Sequence, residues 1–315
     1  MSQVMTTTTS PDQAERCDAL IIGAGFAGMY QLHALRDRLG LKALVLEAGD
    51  GVGGTWYWNR YPGARCDSES HSYCYGFSKE LLEEWEWSER YPEQPEIMRY
   101  LNHVADRFAL RRDIRLNTRV TAAQYDAEAN RWQVTTESGQ RYSAQYLITA
   151  VGCLSTANVP KIPGLEEFAG DWYHTGQWPH EGVDFTGKRV GQIGTGSTGI
   201  QAAPVIAEAA GHLTVFQRTA NYSVPARNAP LTEEFRQYVK RNHPEIRQVM
   251  RGTPNGHPFT ISERKVFDVS ADERQALYEA AWEKGGLQFR ATFQDLLADK
   301  AANDTAAEFL RNKIR

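Results

Sequence analysis

Two copies of one glycine fingerprint, Gly23-Ala24-Gly25-Phe26-Ala27-Gly28 and Gly194-Thr195-Gly196-Ser197-Thr198-Gly199, constrain this chain more than any other feature. Each follows a short apolar run, Ala19-Leu20-Ile21-Ile22 and Val190-Gly191-Gln192-Ile193, and each opens a stretch able to form a helix. That strand-turn-helix context separates a dinucleotide cradle from an ordinary glycine-rich turn. The glycines allow a tight turn, close approach of the backbone to a pyrophosphate and close helix packing, and the helix N-terminus offers unpaired N–H groups to the anion. The expected fold class is therefore α/β, with two Rossmann-like dinucleotide-binding domains and a helical insertion.

The residues after the two fingerprints carry opposite charge. Ala43-Leu44-Val45-Leu46 reads as a strand ending in Glu47, roughly 20 residues beyond the first glycines, where a carboxylate accepts ribose hydroxyls and repels a 2′-phosphate. Leu213-Thr214-Val215-Phe216 ends instead in Gln217-Arg218-Thr219, which places a guanidinium and a hydroxyl at the matching position. That end suits a 2′-phosphate and selects NADPH over NADH. Two nicotinamides would have little to exchange, whereas a nicotinamide can feed a flavin. The expected cofactors are FAD at the first site and NADPH at the second.

With 315 residues, 41% of them hydrophobic, the chain is long enough for about two domains. Its lysines and arginines are scattered and the net charge is -4, which leaves no basic face for nucleic acid. No window approaches the roughly 18 apolar residues of a membrane span. The first 17 residues are polar and threonine-rich and lack the apolar core of a secretory signal, so they read as a disordered leader. The four cysteines, Cys17, Cys66, Cys74 and Cys153, form no CxxC pair, in keeping with a cytoplasmic setting. A metal site at Cys66, Asp67, His71 and Cys74 matches no standard ligand spacing, and none is expected.

Residues 18–153 are expected to form an FAD-binding domain lacking its C-terminal return, 154–230 an NADP-binding domain, and 231–315 a helical subdomain. Within the first, an aromatic loop runs from Gly51 to Glu69, a helical stretch covers about Pro95 to Phe108, and Arg119-Val120-Thr121 and Arg131–Thr136 alternate as a small antiparallel meander. Tyr146 to Gly152 reads as a strand returning to the parallel sheet. Further on, Ser270-Ala271-Asp272-Glu273 is a capping box for a helix closed by Gly285-Gly286, and Thr305-Ala306-Ala307-Glu308 is expected to open another. That last helix meets no stop signal before Arg315, so the chain is read as the N-terminal portion of a longer enzyme, inactive by itself.

The stretch Gly53-Gly54-Thr55-Trp56-Tyr57-Trp58-Asn59-Arg60-Tyr61-Pro62-Gly63-Ala64-Arg65-Cys66-Asp67 resembles the flavin-side signature of the type I Baeyer–Villiger monooxygenases. Phe168-Ala169-Gly170-Asp171-Trp172-Tyr173-His174-Thr175-Gly176-Gln177-Trp178-Pro179 is similar to the same family's fingerprint, F-x-G-x-x-x-H-x-x-x-W-P, at every fixed position. The likeness runs from Asp18 to Arg315 and is strongest to the phenylacetone and steroid monooxygenase branch. It implies an enzyme that uses NADPH, FAD and O2 to insert one oxygen beside a ketone carbonyl, giving an ester or lactone. It also implies that Gly23, Gly25, Gly28 and Glu47 hold the adenosine side of FAD, with Gly54, Trp56, Asp67, Tyr73 and Val120 along the rest. Gly194, Gly196, Ser197, Thr198, Gly199, Arg218 and Thr219 would hold NADPH, with Arg65 reaching the cofactor from the flavin side. Asp67 would orient an active-site arginine that has no counterpart in these 315 residues, and His174 would couple domain movement to turnover.

Three other readings stay open to different degrees. A flavin disulfide reductase needs a redox cysteine pair after its Gly-Gly-Thr, where this chain has Trp56 and Tyr61. A flavin N-hydroxylase or S-oxygenase has a related fingerprint without the Trp178-Pro179 ending and ranks second. An inactive nucleotide-binding fragment is the non-enzyme alternative. The ketone, the oligomeric state and any protein partner are not specified by the sequence.

Overall fold

The computed structural model describes residues 14–314. The chain divides into two compact units: one runs up to Tyr61 and resumes at Ile97–Gly182, the other takes Pro62–Glu96 and Val183 onward.

The first unit is built on a six-stranded sheet. Strand β1 (Glu15–Ile22) leads through the first fingerprint into α1 (Phe26–His33) and returns as β2 (Ala43–Leu46). A short α2 (Thr55–Trp58) follows, and after the excursion into the second unit come β3 (Ile114–Arg115), β4 (Val120–Asp126), β5 (Arg131–Thr136) and β6 (Arg141–Thr149). The spatial order is β3-β2-β1-β6-β5-β4, parallel from β3 to β6 and antiparallel from β6 to β4. Ala19, Leu20 and Ile21 are fully buried and all four residues of β2 are buried, as a parallel strand covered on both faces requires. Each such Leu or Ile contributes about 1.5–3 kcal/mol relative to exposure.

Two sequence expectations shift here. β1 begins at Glu15, three residues inside the stretch read as a leader; residues 1–13 of that stretch lie outside the described residues. The returning strand starts not at Tyr146 but at Arg141, because one strand serves two neighbours. The first half of β6 pairs antiparallel with β5, Trp132 opposite Ala144, while its length from Tyr142 to Thr149 runs parallel to β1.

The second unit holds a parallel pair, β7 (Arg189–Ile193) and β8 (His212–Phe216), joined through the second fingerprint and a helix, Ser197–Ala209. With the preceding Lys79–Glu84 (α3) and Gln94–Arg107 (α4) counted, that helix is α5, and α6 (Glu233–Gly252), α7 (Ala271–Lys284) and α8 (Lys300–Ile314) follow. The core of the helical part is an aromatic cluster: Tyr278 lies against Phe289, Phe293 and Phe309, with Val266 and Leu296 beside them. Ser270 caps α7 by accepting from the Glu273 N–H at 3.2 Å, and Gly285 closes it at φ +67°, as the sequence signals require. α8 starts at Lys300 rather than at Thr305. Asp299 supplies the cap by accepting from the Ala302 N–H at 2.8 Å, and the Thr305 hydroxyl turns back to the Ala302 carbonyl instead of capping. No helix of the described residues is long and apolar enough to cross a membrane.

Candidate dinucleotide sites

In the first cradle Gly23 turns the chain at φ +102°, a conformation that L side chains rarely adopt. A Cβ there would lie 2.6 Å from the Ala150 carbonyl oxygen, and one on Gly28 would lie 1.8 Å from the Gly23 oxygen. Gly25 precedes the first turn of α1 and faces Gly54, whose own Cβ would come within 2.8 Å of the Gly25 Cα. The Gly53 N–H donates to the Ala24 carbonyl at 3.0 Å, so the aromatic loop is stitched to the fingerprint. Trp56 is buried on α2, and Val120 is half-buried at the start of β4.

Glu47 is buried, and both its oxygens are engaged. One accepts from the Ala24 N–H at 2.6 Å and the other from the Gly49 N–H at 2.8 Å. A carboxylate has about four acceptor sites, so two remain for ribose hydroxyls. The fingerprint, the Gly53-Gly54 loop and Glu47 thus form one polar corner in the first unit.

The second cradle repeats the backbone and not the surroundings. Gly194 turns at φ +106°, and a Cβ on Gly199 would lie 2.5 Å from the Gly194 oxygen, as Gly28 does with Gly23. At Gly194 and Gly196, however, a Cβ would meet no atom within 4 Å. Gly196 has an ordinary φ of -71°, so neither backbone strain nor a protein neighbour demands glycine there. Open space therefore adjoins the backbone at the head of α5, where Ser197 and Thr198 form the first turn, the kind of helix start to which an anion can come close. Arg218 and Thr219 are exposed just past β8, and no described residue pairs with the Arg218 guanidinium. A phosphate would supply the missing charge.

Sequence reasoning missed three amides that shape this cradle. The Gln192 side-chain N–H group donates to the Gly194 and Gly199 carbonyls, at 3.1 Å each, and locks the turn. Gln217 donates to the Thr195 hydroxyl and Asn221 to the Thr195 carbonyl, both at 3.0 Å, tying the fingerprint to the segment that carries Arg218. A lone polar side chain in the run Val190-Gly191-Gln192-Ile193 was the available signal for Gln192. For the other two there was none.

Arg65, Asp67 and Tyr73 lie in the second unit. The Arg65 guanidinium pairs with Glu93 at 2.7 Å and with Glu89 at 3.8 Å. Asp67 is exposed and accepts from the Gln201 amide at 2.8 Å. Tyr73 sits in a turn, its N–H donating to the Glu69 and Ser70 carbonyls at 3.1 Å. In the first unit, His174 caps a short turn: its Nδ1 accepts from the Gly176 N–H at 3.1 Å, which puts the ring proton on Nε2. Trp178 is buried against Tyr173.

No group of three His, Cys, Asp or Glu side chains converges as a metal site among the described residues. Cys17, Cys66, Cys74 and Cys153 are all free, and burial pushes the Cys66 thiol up to about 12.

Comparison with known proteins agrees with this geometry. The family profile described as "Pyridine nucleotide-disulphide oxidoreductase" matches residues 20–257. A phenazine N-monooxygenase of Lysobacter antibioticus is 46% identical over 95% of this chain and 55% of its own length. A Baeyer–Villiger monooxygenase of Pseudooceanicola batsensis is 45% identical over the same shares. Among solved structures, an oxidized steroid monooxygenase bound to NADP superimposes with a TM-score of 0.90 at 54% identity, covering 95% of this chain and 57% of that one. The chain therefore spans little more than half the length of the relatives it matches.

Proposed function

We propose, from the premise that this chain belongs to the pyridine nucleotide-disulphide oxidoreductase family, that it binds FAD and NADPH and serves a Baeyer–Villiger monooxygenase. The disulphide chemistry in the family's description does not extend to it, because no cysteine pair stands beside the Gly53-Gly54 loop. The observation that carries the reading is the pair of cradles with opposite strand ends, Glu47 against Arg218. Gly196 adds support, since no described residue lies within 4 Å of a Cβ placed there.

In this reading residues 18–153 bear the FAD site, 154–230 the NADP site and 231–315 the helical subdomain. When bound, the two cofactors would supply the reducing equivalents and the activation of O2 by which one oxygen enters beside a ketone carbonyl. The protein's part in the first cradle is binding: the N–H groups at the head of α1 face the pyrophosphate, and the two spare acceptor sites of Glu47 take the ribose hydroxyls. In the second, Gly194, Gly196, Ser197, Thr198 and Gly199 take the pyrophosphate, while Arg218 and Thr219 hold the 2′-phosphate. The contact of Gly54 with the fingerprint supports a role for it beside the flavin, and the roles of Trp56 and Val120 there rest on the resemblance. Those of Arg65, Asp67, Tyr73 and His174 rest on the resemblance. Free thiols and dependence on NADPH support a cytoplasmic setting.

Incubating the enzyme that carries this sequence with NADPH, O2 and a panel of linear, cyclic and steroidal ketones tests the proposal. One ester or lactone should form per NADPH consumed. A second reading, oxygenation at nitrogen, is favoured by the 46% identity to a phenazine N-monooxygenase. N-oxides from a phenazine, with no ester from any ketone, would establish it instead.

A further inference from the structure

Helix α5 does more than present its N-terminus. Two residues beyond the fingerprint, Gln201 reaches out to the segment that carries Arg65 and Asp67. Its side-chain oxygen accepts from the Arg65 N–H at 3.2 Å, and its side-chain nitrogen donates to the Arg65 carbonyl at 3.2 Å and to an Asp67 carboxylate oxygen at 2.8 Å. The backbone is close as well. Gly63 sits at φ +75° against the helix, where a Cβ would lie 2.3 Å from the Gln201 carbonyl oxygen and 3.0 Å from Val205. A primary amide has two donors and one acceptor oxygen, and here both kinds are spent on one loop. No aliphatic or carboxylate side chain could make that set of bonds.

We propose that Gln201 is a positioning residue that couples occupation of the second dinucleotide cradle to the orientation of Asp67. The reasoning rests on the function proposed above, in which an anionic dinucleotide binds at the head of α5. Ser197 and Gln201 are four residues apart, so they share a face one turn along the same helix. A dinucleotide that draws the first turn of α5 toward itself shifts the amide holding Asp67 and the Arg65 backbone. Because coupling between two sites is reciprocal, freeing the loop must weaken dinucleotide binding by the same factor. Asp67 would then be presented differently with and without the coenzyme, through the protein's own hydrogen bonds and without direct contact between Gln201 and any reacting atom.

The test uses NADP+ as the probe and two readouts on the FAD-supplemented protein: NADP+ dissociation constants, and hydrogen exchange over residues 62–67. Gln201→Leu should raise the NADP+ dissociation constant about tenfold, the scale of one or two lost hydrogen bonds, and speed exchange at the Arg65 amide. Asp67→Asn should weaken binding less, and the two changes should be non-additive. Gln201→Glu, which sets two carboxylates against each other, should weaken NADP+ binding, and adding Asp67→Asn should restore part of it; NADP+ should slow exchange over residues 62–67 in the wild type and not in Gln201→Leu, a ligand-dependent difference that a purely structural glutamine would not show. NADP+ binding left unchanged by Gln201→Leu, or additive effects with no rescue, would overturn the coupling while leaving the dinucleotide site in place. Wild-type protein that binds no NADP+ would remove the site itself, and the coupling with it.

Discussion

At Gly23 and at Gly194 the backbone makes nearly the same turn, φ +102° and +106°, yet Ala150 walls the first and open space surrounds the second. The strands beneath differ in the same way. β1 and β2 lie inside a six-stranded sheet with Leu20 and Ile21 fully buried, whereas β7 and β8 form a two-stranded pair on which Ile193 is 72% and Phe216 56% exposed. One sequence pattern thus answers two physical demands. In the first cradle the protein needs glycine for its own packing. In the second, the turn at Gly194 and the contact of Gly199 are internal demands, while at Gly196 no described residue comes within 4 Å of an added Cβ. A fingerprint shared by two sites therefore does not imply shared sensitivity to change.

Alanine at the two leading glycines should separate them most. Both substitutions force a side chain into a left-handed backbone, costing about 1–3 kcal/mol. Gly23→Ala adds a 2.6 Å clash with a backbone oxygen inside the sheet, where overpacking costs roughly 1–3 kcal/mol more. Chemical denaturation should show Gly23→Ala as the more destabilised variant by at least the clash contribution. Equal losses would mean that the wall at Ala150 yields freely, and the contrast between the cradles would fail.

That contrast also marks what was legible in the sequence. The fingerprints and the ends Glu47 and Arg218 could be read because glycine geometry and strand-end chemistry are local. The N-cap at Ser270 was readable for the same reason, although the Glu273 carboxylate that would complete a capping box accepts from Arg264 instead. What escaped depends on partners distant along the chain. β6 lies between an antiparallel neighbour, β5, and a parallel one, β1, which a run of alternating residues cannot announce. Residues Pro62–Glu96 pack with the unit that resumes at Val183, more than eighty residues later by the numbering. Gln201 and Asn221 bond to residues 134 and 26 positions away, and nothing in their immediate neighbours distinguishes them from solvated amides.

The strand-end residues should divide next, and in kind as well as size. Glu47→Ala strips the acceptor from two buried N–H groups, Ala24 and Gly49, and leaving such donors unpaired costs about 1–3 kcal/mol each. It should lower the melting temperature and loosen FAD together. Arg218→Ala touches no described partner and should leave melting unchanged, while weakening NADPH by the roughly 1.5–3 kcal/mol of a charge-assisted contact and leaving NADH nearly untouched. Equal loss of both coenzymes would take Arg218 away from the 2′-phosphate.

The smallest expected effect concerns acid, and it falls on the second unit. His243 on α6 is held from its ordinary 6.5 down to about 4, first by burial and then by the neighbouring Arg247 and His71 charges. The Arg247 guanidinium donates to its Nε2 at 3.2 Å, a bond that protonation of that nitrogen would break. Burial lowers His71 as well, although Glu69 at 3.7 Å pulls the other way and Arg90, paired with Glu69, offsets that pull. The unfolded chain takes up these protons near pH 6.5 and the folded chain only well below it, so between about 6.5 and 4 the unfolded state binds more. The stabilising contribution is therefore whole above pH 6.5 and drains away as pH falls toward 4. Hydrogen exchange along α6 should accelerate across that window, and His243→Gln, which cannot be protonated, should flatten part of the rise. A wild-type profile that is level between pH 6.5 and 4, or one identical in the variant, would show that the second unit's openness at its cradle is not matched by any acid sensitivity at its helices.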